Sequence, residues 1–328
     1  MSPGRPAADL RGGVASRVDG SEDVRQGVRM GSREVGVEET TDGRAVTDDD
    51  AHTVGAPPAL RGPTAWWRVL AAALVCGSAI LMFAVHVRPL AYLPLVAGVA
   101  LGLAVDRRLG KDLFLIALGM SIVSTIPLAA DLSDAGMVRF TIALSLAVVV
   151  PFVVSRFVLK DRVIRFPWRT GRRWTRTQWA YLIGVQVAGY LLLPYYFLSS
   201  GAYRNWPTVI EGQEVARLFV GVNAVGTWDE LFFICTVFAL LRRHFPVWTA
   251  NVLQAMVFVS FLWELGYREW GPLLTVPFAL VQGLTFQLTK SLTYVLVVHL
   301  LFDAVVFMVL VHAHTPELFD IFVTAPSR

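Results

Sequence analysis

Two adjacent carboxylates, Asp229 and Glu230, sit inside an apolar stretch from Val215 to Leu241 that is long enough to cross a bilayer. A charge at mid-membrane costs about 2.5–3.5 kcal/mol even on lenient insertion scales, so such residues face a protein interior or a wet cavity and mark a pathway or a reaction site. On the same helix Asn223, Thr227 and Glu230 recur at i, i+4 and i+7 and form a polar stripe, with Asp229 about 100° further round. In another apolar run His299 and Asp303 lie four residues apart and project from one face. Between them, a third run carries Asn251, Gln254, Ser260 and Glu264.

Three helices thus offer polar side chains to a shared interior. A carboxylate in low dielectric is a competent base near neutrality, so the set can hold and deprotonate a water. His299 can donate to a developing oxyanion or join the carboxylates in binding a metal, and Asp303 can orient the ring. A divalent metal is compatible with these residues but not required by them. Inert readings stand beside the chemical ones. A His–Asp pair also serves as an interhelical clamp, and two carboxylates can be satisfied by Arg or backbone donors for packing alone. Glu264, next to Gly266, Tyr267, Arg268 and Glu269 at the outer end of its run, suits interfacial solvation.

The elements that position these groups are membrane helices. The chain has 328 residues, 55% of them hydrophobic and 16% charged, and its apolar residues cluster in runs of spanning length. Nine spans are predicted: 66–85, 89–105, 112–131, 138–158, 179–199, 214–241, 247–266, 271–288 and 291–312. The fold class is an all-α polytopic bundle. A net charge of +4 does not point to nucleic acid, because the excess Arg and Lys lie between the apolar runs. A basic linker, with Lys160, Arg162, Arg165, Arg169, Arg172, Arg173 and Arg176 flanked by Trp168, Trp174 and Trp179, reads as a cytoplasmic loop with an interfacial aromatic belt.

Nine spans then place Arg107, Arg108, Lys111, Arg242, Arg243 and Lys290 inside as well, and isolated Arg88, Arg139, Arg204 and Arg268 outside. That orientation predicts an integral plasma (inner) membrane protein with a cytoplasmic N-terminus, an exoplasmic C-terminus and a site that water enters from the cytoplasmic half. Cys76 and Cys235 each lie in an apolar run and read as buried packing rather than a disulfide or zinc ligands. Residues 1–62 are polar, Gly-rich and poor in aromatics, and read as a disordered cytoplasmic tail. Residues 63–160 form a four-helix module with almost no ionisable group at mid-span, 161–178 the basic linker, 179–313 the polar-bearing core and 314–328 a short tail.

The order of motifs resembles the CPBP family, the CAAX-prenyl-protease and bacteriocin-processing intramembrane enzymes. Trp228-Asp229-Glu230-Leu231-Phe232-Phe233-Ile234, followed by the basic turn Arg242-Arg243-His244-Phe245-Pro246, is similar to the family's first motif, Glu-Glu-x-x-x-Arg. His299 to Asp303 is similar to its last, His-x-x-x-Asn or His-x-x-x-Asp. The resemblance implies hydrolysis of a peptide bond in a membrane-embedded or lipidated, prenylated substrate. It implies that Asp229 activates water, that Glu230 assists, and that His299 with Asp303 stabilises the oxyanion or positions the water.

Three positions depart from the family pattern. Asp229 stands where the first Glu is expected, Ile234 where the Arg is, and in Phe258-Val259-Ser260-Phe261-Leu262 the His of the second motif is Leu262. Glu264 replaces that His only if the helix is distorted near Gly266, because residues two apart point about 200° away from each other. The alternatives to a peptidase are a catalytically inactive scaffold or sorting factor and a transporter, the latter disfavoured because no internal repeat is visible.

Overall fold

The computed structural model describes residues 62, 64–168, 171 and 173–326. The expected disordered tail therefore lies outside the described residues, apart from Gly62. Nine helices make up the described part, and no strand occurs among these residues. They are α1 (Ala65–Ala84), α2 (Arg88–Val105), α3 (Arg107–Val123), α4 (Asp134–Val158), α5 (Arg176–Ser200), α6 (Gly212–Arg242), α7 (Val247–Leu265), α8 (Pro272–Thr289) and α9 (Leu292–His314). The protein is an all-α membrane bundle. Eight of these helices are long and apolar enough to cross a bilayer.

The exception is α3. The expected span 112–131 is instead a 17-residue helix shifted towards the N-terminus. Asp106 accepts from the backbone N–H groups of Arg108 and Leu109, which starts the helix at Arg107. Ile126 precedes Pro127, a position that disfavours helix, so the chain leaves it before then. Leu109, Leu113, Ile116 and Met120 are fully buried, which fixes α3 as an internal strut between α2 and α4.

Other ends follow the same local rules. Ser133 caps α4 and Ser291 caps α9, while Thr175 and Gln178 form a reciprocal capping box on α5. The first four helices share one continuous apolar core with the last five. α1 packs along α7, and Gly119 of α3 lets Phe232 of α6 and the backbone of Ala147 approach where any Cβ would collide.

One end of the bundle carries the α2–α3 turn, the linker and the α6–α7 turn. They are tied by a buried polar network. Arg243 donates to both oxygens of Asp112 (3.2 and 3.1 Å) and to Asp161 (2.7 Å). Arg68 donates to Nδ1 of His244 (3.4 Å), so Nε2 carries the proton given to Asp112 at 2.6 Å. Partial burial alone would raise the Asp161 carboxyl, but the adjacent Arg243 guanidinium and the Arg162 N–H hold it below the usual carboxylate range. At the opposite end, Arg217 donates to Leu132 O, joining α6 to the α3–α4 loop, and Asn205 to Gly266 O, joining the α5–α6 and α7–α8 loops.

Asp112→Ala strands the buried Nε2–H of His244, leaves Arg243 with Asp161 alone, and is expected to destabilise by about 3 kcal/mol. Asp134→Ala removes an exposed partner of Arg217 and should cost under about 1 kcal/mol. Thermal unfolding of the two variants in detergent measures the contrast, and equal midpoints would contradict it.

Candidate active site

In α6 the backbone changes winding at the acidic pair. Asp229 ends the α-helical part, and Glu230–Phe238 is wound as a π-helix, in which the Thr236 hydroxyl donates to Leu231 O. A π segment inside an α-helix re-aims the side chains that follow and recurs at functional sites. Here Trp228 stacks on Phe232 within α6, while Phe233 on Phe258 and Trp228 on Phe261 hold α6 against α7.

Asp229, Glu230, His299 and Asp303 converge. Each is at most 5% exposed. His299 Nδ1 lies 2.7 Å from Glu230 Oε1, while its Nε2 lies 3.7 Å from Asp303 Oδ1 and 3.9 Å from Asp229 Oδ2. Gln282 of α8 donates to the same Glu230 oxygen at 2.5 Å and to Val295 O at 3.1 Å. With Glu230 as a carboxylate, Oε1 accepts from both the amide and the ring, and Nδ1 is the second donor. That leaves Nε2 between two carboxyl groups. Asp229 Oδ1 and Asp303 Oδ2 have no hydrogen-bond partner.

A cavity of about 400 Å³ opens onto this constellation between α4, α6, α8 and α9. Asp229, His299 and Asp303 line it, whereas Glu230 is fully buried behind the ring and does not. Most of the remaining wall is apolar, with Phe140, Leu144, Phe278 and Phe302 among it. The lining also reaches Asp131, Trp206 and Tyr267, in the loops at the end remote from Arg107, Arg243 and Lys290. The expected entry from the basic, cytoplasmic-assigned end is therefore corrected: the wall extends from mid-bundle towards the opposite end.

Glu264 is not brought to this group. Its carboxylate accepts from Arg88 at 3.0 Å and from the Leu128 N–H at 3.3 Å, with His86 at 3.8 Å, and it is 4% exposed. It is neither interfacially solvated nor turned towards His299. Asn223 and Thr227 spend their donors within α6, on Phe219 O and Asn223 O. Asn251 and Gln254 clamp α7 to the Leu280 and Ala279 carbonyls of α8, and Ser260 donates to Met256 O. Ile234 is wholly buried, and Leu262 faces the cavity. Among the described residues no group of three or more His, Cys, Asp or Glu side chains is arranged to hold a metal ion.

Two contributors were not assigned from sequence. Gln282 announces itself only as another polar residue at mid-span, and its partner depends on the register of α8 against α6. Gly226 is the other. A Cβ there would land on Asp303 Oδ2, with His299 close by, so glycine permits the approach of α6 and α9 at the site.

Residues 211–305 match the family model described as type II CAAX prenyl endopeptidase Rce1-like, and this stretch, which holds all the converging residues, carries the CPBP-family, CAAX-protease-type domain. No curated protein matches the chain. No solved structure matches it either.

Gly226→Ala and Gly221→Ala separate close packing from helix propensity. Gly221 has open space around it, so alanine should leave the unfolding midpoint unchanged or raise it, since helical Gly costs about 0.5–1 kcal/mol relative to Ala. Gly226→Ala should lower the midpoint by displacing Asp303; a rise like that of Gly221→Ala would contradict the described contact.

Proposed function

We propose that the chain is an intramembrane endopeptidase that hydrolyses a peptide bond in a membrane-associated, lipidated or prenylated substrate. The observation that carries this reading is the imidazole of His299, fixed from behind by Glu230 and flanked at the base of an apolar cavity by Asp229 and Asp303, each of which also holds one carboxyl oxygen without a hydrogen-bond partner. Water bound there gives a proton to Asp229 as its oxygen bonds to the scissile carbonyl carbon, and the carbonyl π pair moves onto oxygen. His299, oriented by Glu230 and flanked by Asp303, positions the water and steadies the charge. Breakdown of the tetrahedral species cleaves the C–N bond, and the proton passes to the leaving amine. The apolar walls suit a lipid chain. Glu264 takes no part and instead braces α7 against the α1–α2 turn.

A second reading, an inactive scaffold or sorting factor, is favoured by one observation: the positions of the family's Arg and second His are Ile234 and Leu262. The two separate in an assay with a quenched fluorogenic peptide ending in a farnesylated cysteine and three further residues. The peptidase reading expects cleavage by purified protein that falls at least about a hundredfold in Asp229→Ala and Glu230→Ala. Cleavage no greater than in those variants, together with full rescue of a deletion strain by His299→Ala, would establish the scaffold.

The orientation proposed from the basic loops puts the loop end of the cavity on the exoplasmic side. A membrane-impermeant maleimide should then label Arg204→Cys in intact cells and Arg162→Cys only after lysis. The native thiols, Cys76 and Cys235, are buried. The reverse labelling pattern would invert the assignment.

A further inference from the structure

The cavity wall holds a group that can replace the missing imidazole. α7 runs regularly to Leu265, and Gly266 then takes a left-handed φ of 138°. The N–H groups of Gly266 and Tyr267 both donate to Leu262 O, at 3.1 and 2.9 Å, in a Schellman-type reversal. Glycine is required there twice over, since a Cβ would also press on the Trp206 ring at 3.0 Å. The reversal folds Tyr267 back over the helix end, so that its side chain joins Leu262, Asp229, His299 and Asp303 in lining one cavity. The distortion at Gly266 thus recruits Tyr267 and leaves Glu264 on Arg88.

We propose that the Tyr267 hydroxyl is a hydrogen-bond donor to the oxyanion formed during peptide hydrolysis, acting beside His299 in a cavity where the family's second-motif His is Leu262; this rests on the peptidase reading above. The ring is wedged between Phe197 and Trp206, with centroids 5.7 and 5.6 Å away, which fixes its direction. The hydroxyl has no hydrogen-bond partner among the described residues and is free to meet a ligand. Burial, then the nearby Asp303, Tyr196 and Asp229 groups, push the phenol well above its ordinary range, so it stays protonated and able to donate at neutral pH. In the step itself, Tyr267 keeps its proton. It hydrogen-bonds the carbonyl oxygen as the water oxygen adds to carbon, and releases that oxygen when the C–N bond breaks and the carbonyl re-forms.

The test is steady-state cleavage of the same farnesylated fluorogenic peptide by full-length protein. Tyr267→Phe keeps the ring and removes only the donor. It is expected to lower kcat about a hundredfold, the typical loss for one oxyanion donor, with KM changed less than about threefold. Adding Leu262→His to Tyr267→Phe should restore at least about tenfold, which a merely structural tyrosine would not allow. Cleavage by Tyr267→Phe at the wild-type rate, in a protein whose activity still depends on Asp229, would overturn this inference alone. Loss without rescue, accompanied by a lowered unfolding midpoint, would overturn it in favour of a structural role. Wild-type protein without Asp229-dependent cleavage would overturn the peptidase reading and this donor with it.

Discussion

The hydrogen bond between Glu230 and His299 is the contact on which the interior of the C-terminal half depends. A carboxylate this deep in a membrane bundle needs donors, and it receives two, one from α9 through the imidazole and one from α8 through Gln282. Three helices are thereby locked in register around one oxygen atom. The close approach of α6 and α9 at Gly226 follows from the same demand, since a bulkier residue would drive Asp303 and His299 away from the acidic pair. With its Nδ1 committed to Glu230, the ring has one free edge, and that edge faces the cavity.

Satisfaction is unequal across the four buried groups. Glu230 is paired on one oxygen and sealed from the cavity, whereas Asp229 and Asp303 present oxygens that no protein donor reaches. Elsewhere Asp112 is paired through both oxygens, with Arg243 and His244, and Glu264 is held by the adjacent Arg88 cation through one. The contrast sets the site apart from a packing clamp. A clamp would satisfy its members; here Asp229 and Asp303 line a cavity and each keeps one oxygen unpartnered.

Much of this was legible in the sequence, for identifiable reasons. The acidic pair stood out because the bilayer makes such residues costly, and His299 with Asp303 because i, i+4 spacing fixes a common face. Helix boundaries held except at α3, where a strong cap at Asp106 and Pro127 moved both ends. What failed depended on partners far apart in the chain. Glu264 pairs with Arg88, 176 residues away, and nothing local announces it. Gln282 and Tyr267 were visible as residue types, but the helix register and the reversal at Gly266 that bring them to the site are tertiary facts. The expected side of water entry failed because loop charge orients a bundle without saying towards which end its interior is hollow.

The central claim is that the His299 ring is held on Glu230 through Nδ1 while its other edge meets water. Solid-state NMR of protein with ¹⁵N-labelled histidine in bilayers, with His299 assigned by its loss in His299→Gln, tests this directly. The account predicts a protonated Nδ1 whose resonance shifts in Glu230→Gln, and magnetisation transfer from mobile water to the Nε2 edge. A His299 signal that is indifferent to Glu230, or that receives no transfer from water, would contradict it.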